Sequence, residues 1–300
     1  MKNNLLDKLI NKTIDCHVHI GNDSHLDGTI KRMYSLQELA KVSSPKIFVA
    51  KAHFIPIIPE RENVYGSTTL NWGFNTEQVI RASREMTKPF LVWGPTLNAQ
   101  AHHQAVSGDT AWKSLFGNVT LGKPISILST KGELQPEVDE TLHAIKETGA
   151  IFATGHLAQS EVIKVVQRAI DIGVRNVVLS HVGSRHNRLP IKTQIKLIKY
   201  GRTHEIPVFA EHCAITWFDG LAGAYDLVRD FVQPILTIGS KNCIISSDCG
   251  RYVSTPTDKP VSPTECLERF GQLLLENGLT LSDLEIMMIK NPKQLLDIHD

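Results

Sequence analysis

Short runs dense in Ile, Val, Leu and Phe recur along the chain, and segments with apolar residues at helical spacing lie between most of them. Such alternation predicts a parallel α/β protein. Strands are expected at Thr13–His19, Lys46–His53, Phe90–Thr96, Ile125–Ser129, Ala150–Thr154, Asn176–Ser180, Pro207–Glu211 and Cys243–Ser247. Eight of them fit a closed (β/α)8 TIM barrel better than an open sheet. Helices are clearest in the second half, where Ser160–Ile172 carries Val162, Val165, Val166, Ala169 and Ile170 and stops at Gly173. Others are expected at Pro136–Thr148, Ile191–Tyr200, Leu221–Leu236, Thr264–Glu276 and Leu281–Ile289, with a terminal turn at Pro292–Ile298. Thr280 with Asp283 three residues later reads as a capping box. The stretches 54–75 and 98–123 are read as rim loops, at the end of the strands where such a barrel places its chemistry.

Length and composition narrow the class. A barrel of roughly 250 residues with short extensions uses all 300 residues, so one domain over 1–300 is expected. Lys+Arg 32 against Asp+Glu 31 gives a formal charge of +1, which argues against a nucleic-acid partner. No apolar stretch reaches membrane-spanning length, and Asp7 and Lys8 interrupt the run at the N-terminus, so a cytoplasmic protein with no membrane partner is expected. Five cysteines without CxxC spacing point to reduced thiols rather than a disulfide framework or zinc ribbon. A small-molecule substrate is the expected partner, and a homo-oligomer is compatible with the chain.

The chemistry begins at Asp15-Cys16-His17-Val18-His19. Residues i and i+2 of a strand share a face, so His17 and His19 aim into one space and form half of a divalent-metal site. Cys16, between them, is expected to point into the wall. His156, His181 and Asp248 each follow a predicted strand, which brings them to the same mouth. Lys51 and His53 share a face of the second strand, with Lys51 either a metal-bridging group or a cation for an anionic substrate. His53, His212 and Arg251, with Asn98, His102 and His103, are candidate pocket-lining residues. Trp93 and Trp112 are read as packing.

This set resembles the amidohydrolase superfamily, whose members have HxH on strand one, histidines after strands five and six, and an aspartate after strand eight. His17, His19, His156, His181 and Asp248 match those positions, and Asn291-Pro292-Lys293-Gln294-Leu295-Leu296 is similar to the closing helix of many members. The resemblance implies a metal-dependent hydrolase acting on a small-molecule amide, lactone or ester through a metal-activated water. It further implies one or two divalent ions, zinc first with manganese or iron as alternatives, and Asp248 as proton acceptor. With one ion, His181 becomes the group that orients or deprotonates the water. Binuclear members commonly carry a carboxylated lysine after strand four; Ile125–Ser129 contains none, and Lys131 lies beyond it. Metal candidates are therefore His17, His19, His156, His181, Asp248 and Lys51. The alternatives are a non-hydrolytic metal-dependent decarboxylase, a phosphoesterase, and a non-catalytic small-molecule-binding barrel.

Overall fold

The computed structural model describes residues 2–20, 34–39, 47–59, 61–87, 89–108, 122–184, 188–218, 225–250 and 262–299. Period-two alternation sorts the side chains of the strands. Those named here are β1 (Ile14–His19), β2 (Ile47–Lys51), β3 (Val64–Tyr65), β4 (Ser67–Thr69), β5 (Leu91–Trp93), β6 (Ile151–Ala153), β7 (Val177–Leu179), β8 (Val208–Cys213) and β9 (Cys243–Ser246). Leu91, Trp93, Ile151, Ala153, Val178, Phe209 and Ile244 gather in one inner cluster. Their neighbours Val92, Phe152, Val177, Ala210 and Ile245 join the larger core beneath the helices. Two apolar faces per strand are what a parallel sheet covered by helices requires.

These nine strands pair with one another in parallel, in the orders β1-β2-β3 and β4-β5-β6-β7-β8-β9. β3 and β4 are halves of one extended run interrupted at Gly66, where a Cβ would strike the Ile57 carbonyl and Met86. Across that break Ser67 Oγ donates to the Ala50 carbonyl at 2.7 Å and Thr69 Oγ1 to that of Ala52 at 2.8 Å, so side chains join the two sheets. At the far edge the Asp248 N–H donates to His17 O at 2.8 Å and the His19 N–H to Cys249 O at 2.7 Å. Val18 and Cys249 form a parallel bridge there. With β3 and β4 counted as one stave, eight staves close into a (β/α)8 TIM barrel.

Seven of the eight predicted strands coincide with staves; Ile125–Ser129 does not. That segment makes only isolated bridges, Ala99 with Ile125 and Leu128 with Leu134. The third stave is the run 64–69, inside a stretch read as loop because Pro56, Pro59, Gly66 and Gly73 punctuate it. Leu91–Trp93 is therefore the fourth stave, followed by Gly94-Pro95, which offers no lysine either.

Helices cover the outside at Thr76–Glu85, Pro136–Glu147, Gln159–Ile172, Ile191–Thr203, Gln233–Ile238 and Pro263–Glu276. Asn75 caps the first of these, accepting from Gln78 N at 3.0 Å. Glu161 secures another by accepting from Ala158 N and Ile127 N, both at 2.8 Å. The predicted helix Leu221–Leu236 falls partly outside the described residues, and its described part is a π-turn, Val228–Val232, running into Gln233–Ile238. The Thr280–Asp283 capping box forms as expected. Among the described residues no helix is long and apolar enough to cross a membrane.

Candidate metal centre

β1 carries the histidine pair and, just before it, a β-bulge. Asp15 pairs with Phe48 and Val18 with Ala50, so Cys16 and His17 together face the single residue Val49. The extra residue changes which parity points inward. Cys16 joins the inner cluster with Val49 and Trp93, which corrects the expectation that it points into the wall. Asp15 holds the bulge: its Oδ1 accepts from the His17 N–H at 3.1 Å and the Ser247 N–H at 3.0 Å. Burial pushes the Asp15 carboxyl up to about 7, against those hydrogen bonds.

Beyond the bulge, three donors converge. His19 Nε2 lies 2.8 Å and His17 Nε2 3.3 Å from Asp248 Oδ1, and all three side chains are buried. Asp248 comes from the turn after β9 with φ of 53°, and His181 from the turn after β7 with φ of 49°. Both hold the left-handed conformation that non-glycine residues seldom adopt, the kind of backbone strain that collects at functional sites. Gly250 (φ 96°) packs so closely on β1 that a Cβ there would fall on the His19 carbonyl oxygen. Burial drives the His19 pKa down to about 3 and that of His181 to about 4, so both are neutral, electron-donating imidazoles at neutral pH.

On the other side of the His17 ring, Nδ1 lies 3.3 Å from Glu211 Oε1, with both residues fully buried. An ionised carboxylate only accepts, so Nδ1 carries the hydrogen and Nε2 keeps its lone pair for the mouth. Burial raises the Glu211 carboxyl, but His17 and His181 beside it bring it down to about 2. Lys51 Nζ sits 3.0 Å from His17 Nε2 and 4.1 Å from the centre of the Trp93 ring. Its side chain is aimed inward against His17.

The remaining predicted residues divide. The His53 ring lies 4.6 Å from His19, and its Nδ1 is 3.2 Å from Thr96 Oγ1. His156 stacks on His102 with their Nδ1 atoms 2.9 Å apart, and 5.0 Å separates its ring from that of His181. It thus borders the centre without joining the His17–His19–Asp248 group. His212 is corrected: it alternates with Glu211 and Cys213, and its ring faces Phe231 in the helix layer at 6.3 Å. Asn98 is a loop tie rather than a lining group, donating to Asn71 O at 3.0 Å. His103 is half-buried on the helix Gln100–Val106, inside the stretch read as loop. Arg251 and Trp112 lie outside the described residues.

Three contributors had no task assigned from the sequence: Asp15, which stands in the strand-one motif, Glu211 and Asn71. Asn71 accepts from Thr96 N at 2.7 Å and donates to His53 O at 2.8 Å, fixing the turns that carry His53 and Thr96. Glu211 could have been found by parity, because an acid at the end of an otherwise apolar strand has to face something polar. A cleft of about 510 Å3 beside the barrel, lined by Trp72, Phe74, Gln100, Lys123 and Gln135 among others, contains none of these groups.

The donors fit a divalent ion. His17, His19 and Asp248 bring one ligand atom each within 4.8 Å of one another. Two imidazoles and a carboxylate are a zinc-type set. The carboxylates of Glu211 and Asp248, joined by Asp15 in so far as it is ionised, outnumber the ammonium of Lys51 in this buried region. Unbalanced buried charge is costly, and a dication relieves it.

The same architecture recurs in solved enzymes. The probable dipeptidase PvdM from Pseudomonas aeruginosa superposes with a TM-score of 0.56 at 10% identity, over 98% of this chain and 96% of that one. A putative 2-pyrone-4,6-dicarboxylic acid hydrolase from Pseudomonas putida gives 0.54 at 12%, over 95% and 97%. The phosphotriesterase homology protein from Escherichia coli, complexed with phosphate in its active site, gives 0.50 at 12%, over 95% and 98%. The fold is thus the parallel α/β barrel of these proteins, each no more than 12% identical to this chain. Residues 12–205 match a family model described as "Family of unknown function (DUF6282)", and the chain belongs to that family. A search of curated proteins gives no match.

Proposed function

We propose that this chain, one barrel domain over residues 1–300, is a metal-dependent hydrolase that cleaves a small-molecule amide, lactone or ester with water. The observation that carries the reading is the convergence of His17 Nε2, His19 Nε2 and Asp248 Oδ1, drawn from the first and last staves at their C-terminal ends. His17, His19 and Asp248 would hold the ion. When bound, a divalent ion supplies Lewis acidity, polarising an oxygen and lowering the pKa of water to roughly 7.

The chain's own groups then divide the work. Asp248 takes the proton of the attacking water, its second oxygen lying 3.7 Å from His181 Nδ1. His181, neutral and with its hydrogen on Nδ1, faces the Asp248 carboxylate and orients it, and Asp248 delivers the proton to the leaving group. Glu211 keeps the His17 ring in one tautomer, and Lys51 supplies positive charge where negative charge develops. His53, held by Thr96 and the Asn71 turn, borders the space above His19 and serves as a substrate contact.

Elemental analysis of purified protein alongside His19→Ala tests the site. Zinc, manganese or iron at one equivalent or more, lost in the variant while the fold survives, is expected. An unchanged content would remove these residues from the metal site. Asp248→Asn is expected to lower turnover on a panel of amides, lactones and esters by orders of magnitude, and a near-normal rate would end its assignment as proton acceptor.

A further inference from the structure

β8 presents to the barrel interior two residues of which the reading above leaves one unused and gives the other only a supporting task. Glu211 and Cys213 lie two apart on one strand and share its inner face, both completely buried. His17 and His181 face them, and the four residues bring one donor atom each within 4.8 Å of one another. The contacts inside the group leave donors unspent. His17 Nδ1 engages Glu211 Oε1 at 3.3 Å and has the Cys213 sulfur at 3.9 Å, whereas Glu211 Oε2 and His181 Nε2 are buried without a hydrogen-bond partner. A buried polar atom left unpaired costs about 1–3 kcal/mol, more when charged. Two of them beside a thiol are the donor set of a soft or borderline dication.

We propose that His181, Glu211 and Cys213 hold a second divalent ion of the zinc class on the inner side of His17, rather than His156 and Lys51 doing so. The proposal rests on the metal-hydrolase reading and specifies its second ion. His156 is engaged with His102, and Lys51 lies against Nε2 on the opposite side of the His17 ring. Glu211 links the two positions, with Oε1 accepting from His17 N–H and its other oxygen left for the ion. Three protein ligands leave a fourth position of a tetrahedral ion open, as in catalytic zinc sites. Ligands of such an ion stand about 3.3–3.8 Å apart given metal–ligand distances near 2.0–2.3 Å, so the group has to draw in by about 1 Å. Glu211 and the Cys213 thiolate would set two negative charges against this ion, and loading releases a single proton, that of the Cys213 thiol. The thiolate selects zinc or cobalt over magnesium, calcium or manganese.

Cobalt(II) reports both positions at once, because a thiolate ligand adds a near-ultraviolet charge-transfer band that histidine and carboxylate ligands do not produce. Cobalt titration of metal-free protein is expected to give two equivalents and that band. Cys213→Ser should abolish the band, whereas Cys16→Ser and Cys249→Ser retain it. Glu211→Gln should lose one equivalent while thermal melting shows a folded protein, and this count decides the matter if Cys213→Ser does not fold. Cobalt bound through visible d–d bands without charge transfer, or a band that survives Cys213→Ser, overturns the inner position and leaves the His17–His19–Asp248 site standing. No cobalt bound at all overturns both.

Discussion

Replacing Asp15 isolates the device that points the histidine pair. In Asp15→Ala the His17 and Ser247 N–H groups lose their acceptor where no water reaches, since Asp15 and Ser247 are fully buried. Each orphaned donor costs about 1–3 kcal/mol, so a loss of about 4 kcal/mol is expected. At roughly 2.1 cal/mol/K of unfolding entropy per residue, a chain of this length has about 0.6 kcal/mol/K, and the melting temperature should fall by about 6 °C. Asp15→Asn keeps the accepting oxygen and puts an NH2 where Oδ2 has no hydrogen-bond partner. It should cost about 1 kcal/mol, or roughly 2 °C. Because burial raises the Asp15 carboxyl to about 7, the wild-type group is largely protonated at mildly acid pH, and the amide resembles it most closely there. The assay is thermal melting of metal-free protein near pH 6, since a bound ion would add its own stabilisation. If Asp15→Ala melts with wild type, or Asn and Ala fall together, Asp15 does not clamp β1 to β9.

Acid should destabilise the metal-free protein. His19, His181 and His212 have pKa values depressed by burial, so below about 6.5 the unfolded chain binds protons that the folded one refuses. Asp15, raised to about 7, acts in the opposite sense over the same range. The balance is a loss of roughly 3 kcal/mol per pH unit between about pH 6 and 4.5, measurable by denaturant midpoints; a flat profile would mean these histidines are not buried neutral. Gly250→Ala combines a φ of 96° with a Cβ aimed at the His19 carbonyl. It should cost about 2 kcal/mol or more in melting experiments and weaken metal binding, and unaltered melting would mean that β1 and the turn after β9 are not so closely packed. Lys51→Ala should retain both metal equivalents by elemental analysis if Glu211 and Cys213 hold the second ion, and losing one would return the second ion to Lys51.

Periodicity makes most of the barrel legible because a buried parallel strand needs little besides a short apolar run. The two failures share a cause. Val64–Thr69 is half polar, and its Ser and Thr hydroxyls do the joining that a ladder would do; nothing in an apolar pattern announces that. Ile125–Ser129 is apolar because it covers the barrel, with Ile127 in the outer core and its N–H on Glu161. An apolar run reports burial and does not say whether a ladder or a side chain satisfies its backbone.

Site legibility follows the same division between local and distant information. His17 and His19 are readable because two residues on one strand fix their relation to each other, and His181 and Asp248 because they follow strands. Cys16 and His212 were misplaced for opposite reasons. At Cys16 strict alternation fails, since the bulge seats it inward together with His17. At His212 alternation holds, and applied to β8 it turns His212 outward and brings Glu211 and Cys213 in. Parity along β8 therefore contained the acid and the thiol all along, but only the register of β8 against β1 through β9 places them beside His17. A partner 194 residues away in sequence, like that of His17 and Glu211, belongs to the closure of the barrel. The same closure that makes the fold gives the histidine pair its carboxylate, so variants that loosen the β1–β9 seam should lose metal affinity before they lose the fold.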